Sequence, residues 1–385
     1  VEMQIFPRRQ PFCILGGIDE ALALLKAATG YHDKEGNFIN TFSKLEVEAC
    51  HDGCKAYYGG DPLNVEPVMK IRGRYRDFAI LETPILGSLT EASRIATNVY
   101  QILEAARGKD ILFFPARFAH YKLQALHGYA YSLGVKAYNR DYGANSHRLV
   151  STDEQGAWWG GKGGGTISHS YIATFYGDTP EAMLQFCRLM PLEVNRIALV
   201  DFKNDCIGTT LRALKTMFNK YNSLKKQGKE KEASRYKLFG VRPDTSSHLR
   251  DKRVEPLGDK KLDNGVNARL IFNLRQKMDN AYKEWDLDPG DVKLARDYCR
   301  DVKIIATGGF DPEKINRFEE SQVPVDNYGV GSWLLSNSSV EGTSSDFTAD
   351  VVRVKKDGEW IDMAKVGRRP CDNDNMEKIP PDYGD

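Results

Sequence analysis

Five short stretches carry residue types able to do chemistry together, and each follows an apolar run. In order they are Phe114-Pro115-Ala116-Arg117, Asp201, Arg242-Pro243-Asp244-Thr245-Ser246-Ser247, Gly308-Gly309 and Gly329-Val330-Gly331-Ser332. An arginine fork suits a carboxylate or a phosphate. Hydroxyls such as those of Thr245 and Ser246, and backbone amides freed by glycine, suit phosphate oxygens. Two aspartates suit ribose hydroxyls or Mg²⁺. A sixth stretch, Gly160 to His169, reads GGKGGGTISH. It is no Walker loop, because neither Ser nor Thr follows Lys162. Its glycines predict a mobile or unusually tight segment. His169, just before Ser170-Tyr171-Ile172-Ala173, stands at a predicted helix start, where it can serve as general base or as phosphoryl acceptor. His32, His51, His127 and His147 lack such a setting and read as structural.

Elements must bring these stretches together. Lys303 to Thr307 reads as a strand, and Asp311 to Glu320 as a helix with Asp311 as N-cap and Pro312 in its first position. Asp326 to Val330 reads as a second strand. This βαβ unit has glycines at the C-terminal ends of both strands. One such pair is an ordinary tight turn; two in tandem match the loops that hold phosphate in β/α barrels. Further strands are predicted at Ile111–Phe114, Ala198–Asp201 and Leu238–Val241. Helices are predicted at Pro180–Met190, Thr209–Asn222 and Gly265–Glu284. That alternation predicts a parallel sheet, closed or nearly closed into a barrel.

The first eighty residues have another texture. Val1–Ile14 predicts a strand and turn, and Gly17–Ala28 an amphipathic helix. Ser43–Cys54 has helical spacing, and Val65–Ile80 alternates as paired strands do. Leu81–Ala106 reads as a long helix broken early by Pro84 and Gly87. Asp346–Val354 and Trp360–Val366 alternate around a turn, predicting a hairpin that returns to the first domain. Lys225–Glu232 reads as a solvated charge run, and the tail from Pro370 as polar and proline-rich. The domain expectation is therefore 1–88 plus 345–385, and a barrel over 89–344.

The 385 residues suffice for one large core or for one core and a smaller domain. With 54 Lys and Arg against 53 Asp and Glu, the net charge of +1 gives no field directed at nucleic acid or membrane. The seven cysteines are scattered, and Cys50 and Cys54 have no second pair to complete a zinc set. They read as reduced thiols of a cytoplasmic protein, with no dedicated metal site. No apolar run approaches the ~20 residues that span a bilayer. The chain starts at Val1 without methionine or signal-peptide pattern, which reads as an incomplete N-terminus.

Assembled, the sequence resembles nicotinate phosphoribosyltransferase. The matching segments are Gly73–Leu86 (GRYRDFAILETPIL), Phe114–His120 (FPARFAH), Gly165–Tyr171 (GTISHSY), Leu199–Asp205 (LVDFKND), Val241–Ser247 (VRPDTSS), Ala306–Asp311 (ATGGFD) and Tyr328–Ser332 (YGVGS). They run in the family's order over almost the whole chain. The resemblance implies an α/β fold: an incomplete β/α barrel with a second α/β-sandwich domain built from both termini. It implies phosphoribosyl transfer from phosphoribosyl pyrophosphate to nicotinate, with Mg²⁺, and with ATP hydrolysis coupled through a phosphohistidine. Carried over by motif, His169 is the phosphorylated residue and Arg117 holds the nicotinate carboxylate. Asp201, Arg242 and Asp244 line the ribose and pyrophosphate region. Gly308, Gly309, Gly329 and Gly331 take the 5′-phosphate.

Four departures bear on that expectation. Arg117-Phe118 stands where the family usually has two arginines. The GGKGGG run is richer in glycine than the family pattern. Some relatives carry a C-terminal cysteine-rich zinc module, and here only Cys371 falls in that region. The family's N-terminal segment, with an aromatic residue that stacks on the nicotinate ring across a dimer interface, has no counterpart before Val1. A site completed by a second subunit predicts a symmetric homodimer. The alternatives are a nicotinamide or quinolinate phosphoribosyltransferase and a non-catalytic phosphometabolite-binding barrel. The GTISHS segment argues against quinolinate, whose enzymes do not use the phosphohistidine cycle. The intact strand ends argue against a barrel without turnover.

Overall fold

The structure is a computed structural model and describes residues 1–164 and 166–383. The chain forms two compact units. One takes residues 1–101, 126–145 and 334–385, and the other takes 102–125 and 146–333. The first boundary falls inside one long helix.

The first unit is built on a six-stranded antiparallel sheet. Its strands, edge to edge, are Glu359–Asp362, Phe347–Lys356, Glu2–Pro7, Met69–Arg72, Glu46–Ala49 and Glu377–Ile379. The N-terminal strand lies between Phe347–Lys356 and Met69–Arg72, so both ends of the chain meet in one sheet. The predicted C-terminal hairpin forms, and the polar tail adds a further strand against Glu46–Ala49. Helix Ile18–Ala28 buries Ile18, Ala21, Leu22 and Leu25 in a core with Met3, Ile5, Val47 and Ile71.

Three local expectations give way here. Ser43–Cys54 is not a helix: a 3₁₀ turn at Phe42–Lys44 leads into the Glu46–Ala49 strand. Strand pairing wins because Val47 and Ala49 are buried while Glu48 faces Arg72 at 3.1 Å, a period of two. In Val65–Ile80 only Met69–Arg72 is a strand. A side chain at Gly73 would strike Leu45 at 2.2 Å, and past this close approach Tyr75–Phe78 turns helical, burying Phe78. Helix Glu82–Ala105 runs unbroken through Pro84 and Gly87. Pro84 sits in the first turn, where an absent N–H forfeits no helical bond.

The second unit is a parallel sheet of six short strands. Their order is Ile197–Leu199, Gly240–Arg242, Lys303–Ala306, Asn327–Val330, Ile111–Phe113 and Leu149–Val150. Ile197–Leu199 and Leu149–Val150 are its two edges, so the barrel is incomplete, as expected. The predicted strands lie within about two residues of these bounds, and Leu149–Val150 is a strand beyond those expected. Helices Thr179–Leu189, Cys206–Lys226, Ala268–Asn280, Val292–Asp301 and Pro312–Glu320 separate the strands in sequence. Among them, the Phe218 ring lies 5.1 Å from Trp285 and 5.4 Å from Tyr298. The Tyr298 hydroxyl donates to the Tyr236 carbonyl and accepts from the Leu238 N–H, so its burial leaves no polar atom unmet.

Candidate functional site

Parallel pairing sends every strand of the second unit in one direction, and register fixes which residues emerge side by side. Leu199 pairs with Arg242, Val241 with Ile304, Ala306 with Tyr328, and Val330 with Phe113. The predicted stretches therefore emerge at one edge of the sheet, at the C-terminal ends of five strands.

Arg242 is the hub. It is 9 % exposed, and its guanidinium centre lies 5.5 Å from the Phe114 ring centroid. One terminal nitrogen donates to Asp244 at 3.3 Å, and the other donates to the Ile167 carbonyl at 3.1 Å. Its Nε is buried without a partner among the described residues. Burial pulls its pKa down; Asp244 and Asp201 oppose the shift, and the positive charge of Arg117 adds to it. Asp244 also accepts from the Thr307 hydroxyl at 2.7 Å. Thr307 is a site residue that sequence reasoning passed over, although it directly precedes the glycine pair. Thr245 is buried, with its hydroxyl 3.4 Å from the Cys206 sulfur. Ser246 is exposed and accepts from the His248 N–H at 3.3 Å.

The bond from Arg242 to Ile167 anchors the segment that carries His169. Ser168 caps the short helix His169–Ala173, accepting from the Tyr171 N–H at 3.1 Å. His169 Nε2 lies 3.0 Å from each Asp201 carboxylate oxygen. The Asp201 hydrogen bond raises the His169 pKa; burial opposes it, the Asp201 and Asp244 charges assist, and Arg242 opposes. In the neutral ring, the nitrogen held against the carboxylate carries the proton and the lone pair stands at Nδ1. Upstream, the glycine-rich run is tight: Gly163 N–H donates to Asp153 and Gly164 N–H to the Val150 carbonyl, each at 2.8 Å. Gly165 lies outside the described residues.

Arg117 stands in the 3₁₀ turn Ala116–Phe118, with its guanidinium 5.2 Å from the Phe118 ring. That turn is tied down by Gln124, which donates to the Ala116 carbonyl and accepts from Gln155. Gly308 and Gly309 have φ of 101° and 64°, the left-handed region that favours glycine. A side chain at Gly308 would lie 3.4 Å from the Thr245 carbonyl oxygen and 3.6 Å from Asp244, so this turn adjoins the Arg242–Asp244 pair. Gly309 faces open space. Gly329 lies within its strand, where a side chain would meet Thr307 at 2.5 Å and Phe114 at 2.6 Å. At Gly331 a side chain would meet the Phe118 ring at 2.9 Å.

The arrangement offers cations, hydroxyls and amides for anionic oxygen, with two carboxylates beside them. Among the described residues no group of three His, Cys, Asp or Glu side chains forms a metal cage. Asp201 and Asp244 are carboxylates, the ligand type through which Mg²⁺ is bound together with substrate phosphates. A separate cavity of about 380 Å³ includes Asp110, Leu112, Ile197, Lys303, Ile305 and Asp326 in its lining. These residues sit toward the N-terminal ends of the strands, away from the charged groups described above.

Comparisons with known proteins bear on this architecture. Residues 1–93 match the profile of the quinolinate phosphoribosyl transferase N-terminal domain. The nicotinate-nucleotide pyrophosphorylase from Pyrococcus furiosus superposes with a TM-score of 0.63 at 25 % identity, over 99 % of this chain and 77 % of that one. The human nicotinic acid phosphoribosyltransferase superposes with a TM-score of 0.55 at 14 % identity, over 91 % and 70 %. No curated protein sequence matches the chain. The fold is the type II phosphoribosyltransferase fold.

Proposed function

We propose that this chain transfers the phosphoribosyl group of phosphoribosyl pyrophosphate to nicotinate, forming nicotinate mononucleotide and pyrophosphate in NAD biosynthesis. The observation that carries this reading is the joining of two pairs, His169–Asp201 and Arg242–Asp244, at the strand ends beside the glycine turns. The nicotinate ring nitrogen attacks ribose C1 as the bond from C1 to the pyrophosphate oxygen breaks, and the electron pair leaves with pyrophosphate. Arg242 stabilises the charge that grows on the leaving group. Asp201 and Asp244 hold ribose hydroxyls, and they would hold the Mg²⁺ of a magnesium pyrophosphate, which would supply charge neutralisation on the leaving group. Arg117 grips the nicotinate carboxylate. The amides at Gly308, Gly309 and Gly331 receive the 5′-phosphate, and Gly329 shapes the strand behind them.

His169 couples ATP to this cycle. With Nε2–H donated to Asp201, Nδ1 attacks the γ-phosphorus of ATP, the bond to ADP breaks, and ADP leaves with the electron pair. Water later cleaves the phosphorus–nitrogen bond and restores the imidazole. A phosphoryl group there adds negative charge beside Arg242 and draws it toward productive substrate binding. The site belongs to a homodimer in this reading.

Quinolinate is the second reading, favoured by the match over residues 1–93. It carries two carboxylates, yet Arg242 already serves Asp244, and among the described residues Arg117 is the strand-end guanidinium with no carboxylate partner. Turnover with phosphoribosyl pyrophosphate and either base, with and without ATP, separates the readings. Nicotinate consumption accelerated by ATP, with acid-labile label on His169 from γ-labelled ATP, is the expected result. Quinolinate turnover indifferent to ATP establishes the second reading. Pyrophosphate release from neither base reduces the site to phosphometabolite binding.

A further inference from the structure

A lysine ties the first glycine turn from behind. Lys314 stands in the opening turn of helix Pro312–Glu320, which Asp311 caps by accepting the Lys314 N–H at 2.7 Å. Its ammonium lies 3.0 Å from the Gly308 carbonyl oxygen and 4.1 Å from the centre of the Phe310 ring. Phe310 is held in turn by Phe318 at 5.1 Å and Tyr328 at 5.2 Å. Enclosing an ammonium between a carbonyl and an aromatic face costs solvation. Burial accordingly lowers the Lys314 pKa to about 8. On the same helix Glu313 and Arg317 are exposed and pair with each other, which is the ordinary behaviour of helix-surface charges.

Peptide planarity gives this contact a consequence. The C=O and N–H of one trans peptide point in opposite directions. An ammonium that holds the Gly308 carbonyl therefore holds the Gly309 N–H on the far side. Two adjacent glycines would otherwise let that peptide rotate, and in the flipped state a carbonyl oxygen would face any anion. The Gly309 N–H has no protein partner among the described residues, and the space around Gly309 is open.

We propose that Lys314 is the positioning residue of the 5′-phosphate subsite, locking the Gly308–Gly309 peptide so that the Gly309 N–H meets the phosphoryl group. This inference rests on the phosphoribosyl reading and adds to it a residue outside the strand-end motifs.

Calorimetric titration with ribose 5-phosphate, with nicotinate as control, tests the lock. Lys314→Met is expected to weaken ribose 5-phosphate about tenfold, the scale of one hydrogen bond from a charged donor, and to leave nicotinate unchanged. Lys314→Arg, which keeps a cationic donor, is expected to recover most of that loss. The thermal midpoint of Lys314→Met should be unchanged or raised, because a half-buried charge is replaced by an apolar chain of similar length. Equal ribose 5-phosphate affinity in wild type and Lys314→Met overturns the lock and leaves the subsite standing. A wild type that does not bind ribose 5-phosphate overturns the phosphoribosyl reading itself. Parallel loss for both ligands with a lowered midpoint assigns Lys314 a general structural role and overturns the lock.

Discussion

The two sheets both gather buried charge, and they complete it differently. In the antiparallel sheet Arg72 donates to Glu2 at 2.5 Å and to Glu48 at 3.1 Å, while Arg353 donates to Glu2 at 3.1 Å and to Asp362 at 3.0 Å. Strand register sets Glu2 opposite both Arg72 and Arg353, and Asp362 opposite Arg353. Every nitrogen of the Arg72 guanidinium has a carboxylate. At the ends of the parallel strands, by contrast, the partners come from loops. Arg242 keeps a buried Nε without a partner, His169 spends one ring nitrogen on Asp201, and the Gly309 amide has no partner among the described residues. Charges that satisfy one another across a ladder hold strands together. Charges brought together with donors left over are arranged for something that arrives.

Substituting one arginine from each set is the strongest way to break that contrast. Arg242→Met should lower kcat/KM by roughly a hundredfold or more, the cost of losing a donor to developing charge, with little change in thermal midpoint. Arg72→Met should do the reverse: about 3 kcal/mol of stability lost, because Glu2 is 1 % exposed and loses one of its two partners, with turnover per folded molecule intact. Chemical denaturation and steady-state kinetics on both variants measure the pair. Equal losses of stability would erase the distinction between the sheets.

Arg117 sharpens the same contrast at smaller cost. Arg117→Ala should raise the KM for nicotinate roughly tenfold to a hundredfold, since a methyl group cannot replace a charged fork, and should leave the KM for phosphoribosyl pyrophosphate in place. Equal effects on both substrates would mean that Arg117 only supports the Ala116–Phe118 turn.

Much of the barrel is legible in the sequence because a short apolar run that ends in Gly, Asp or Arg has few places to go in a fold except the end of a buried strand. Lys303–Ala306 and Asn327–Val330 stand within a residue of the expected bounds, and the Asp311 cap forms as expected. The antiparallel sheet is less legible, because a strand such as Glu46–Ala49 takes its identity from partners distant in sequence. Sequence also does not distinguish a glycine that opens space from one that closes it. Gly309 has nothing near it, whereas Gly329 admits Thr307 and Phe114 against its backbone. Nor does it reveal which hydroxyl turns inward: Thr245 faces Cys206, and Thr307 takes the place beside Asp244. Lys314 is hidden for a similar reason, since a lysine on an amphipathic helix ordinarily marks the wet face.

The smallest expected effect concerns pH. The Asp201 hydrogen bond holds the His169 pKa above its ordinary value of 6.5. A group whose pKa is raised by folding contributes stability that is complete below the unfolded value and disappears as pH climbs through the folded value. The His169–Asp201 pair therefore stabilises the fold most below the ordinary histidine value, at about pH 5.5, and least well above it, at about pH 8.5. The increment is modest, because 48 % of the His169 side chain is exposed to screening water. The difference in thermal midpoint between wild type and His169→Asn should shrink steadily across that range. In the proposed cycle phosphoryl acceptance runs the other way: it needs the neutral imidazole, so initial labelling from γ-labelled ATP should rise over the same interval. Asp201→Asn removes the charge that raises the pKa, and the labelling profile should move to lower pH. A labelling rate that is flat with pH, or unmoved by Asp201→Asn, would separate the His169–Asp201 bond from the ATP-coupled step and leave the pair with the structural role that Arg72 and Glu2 have in the other sheet.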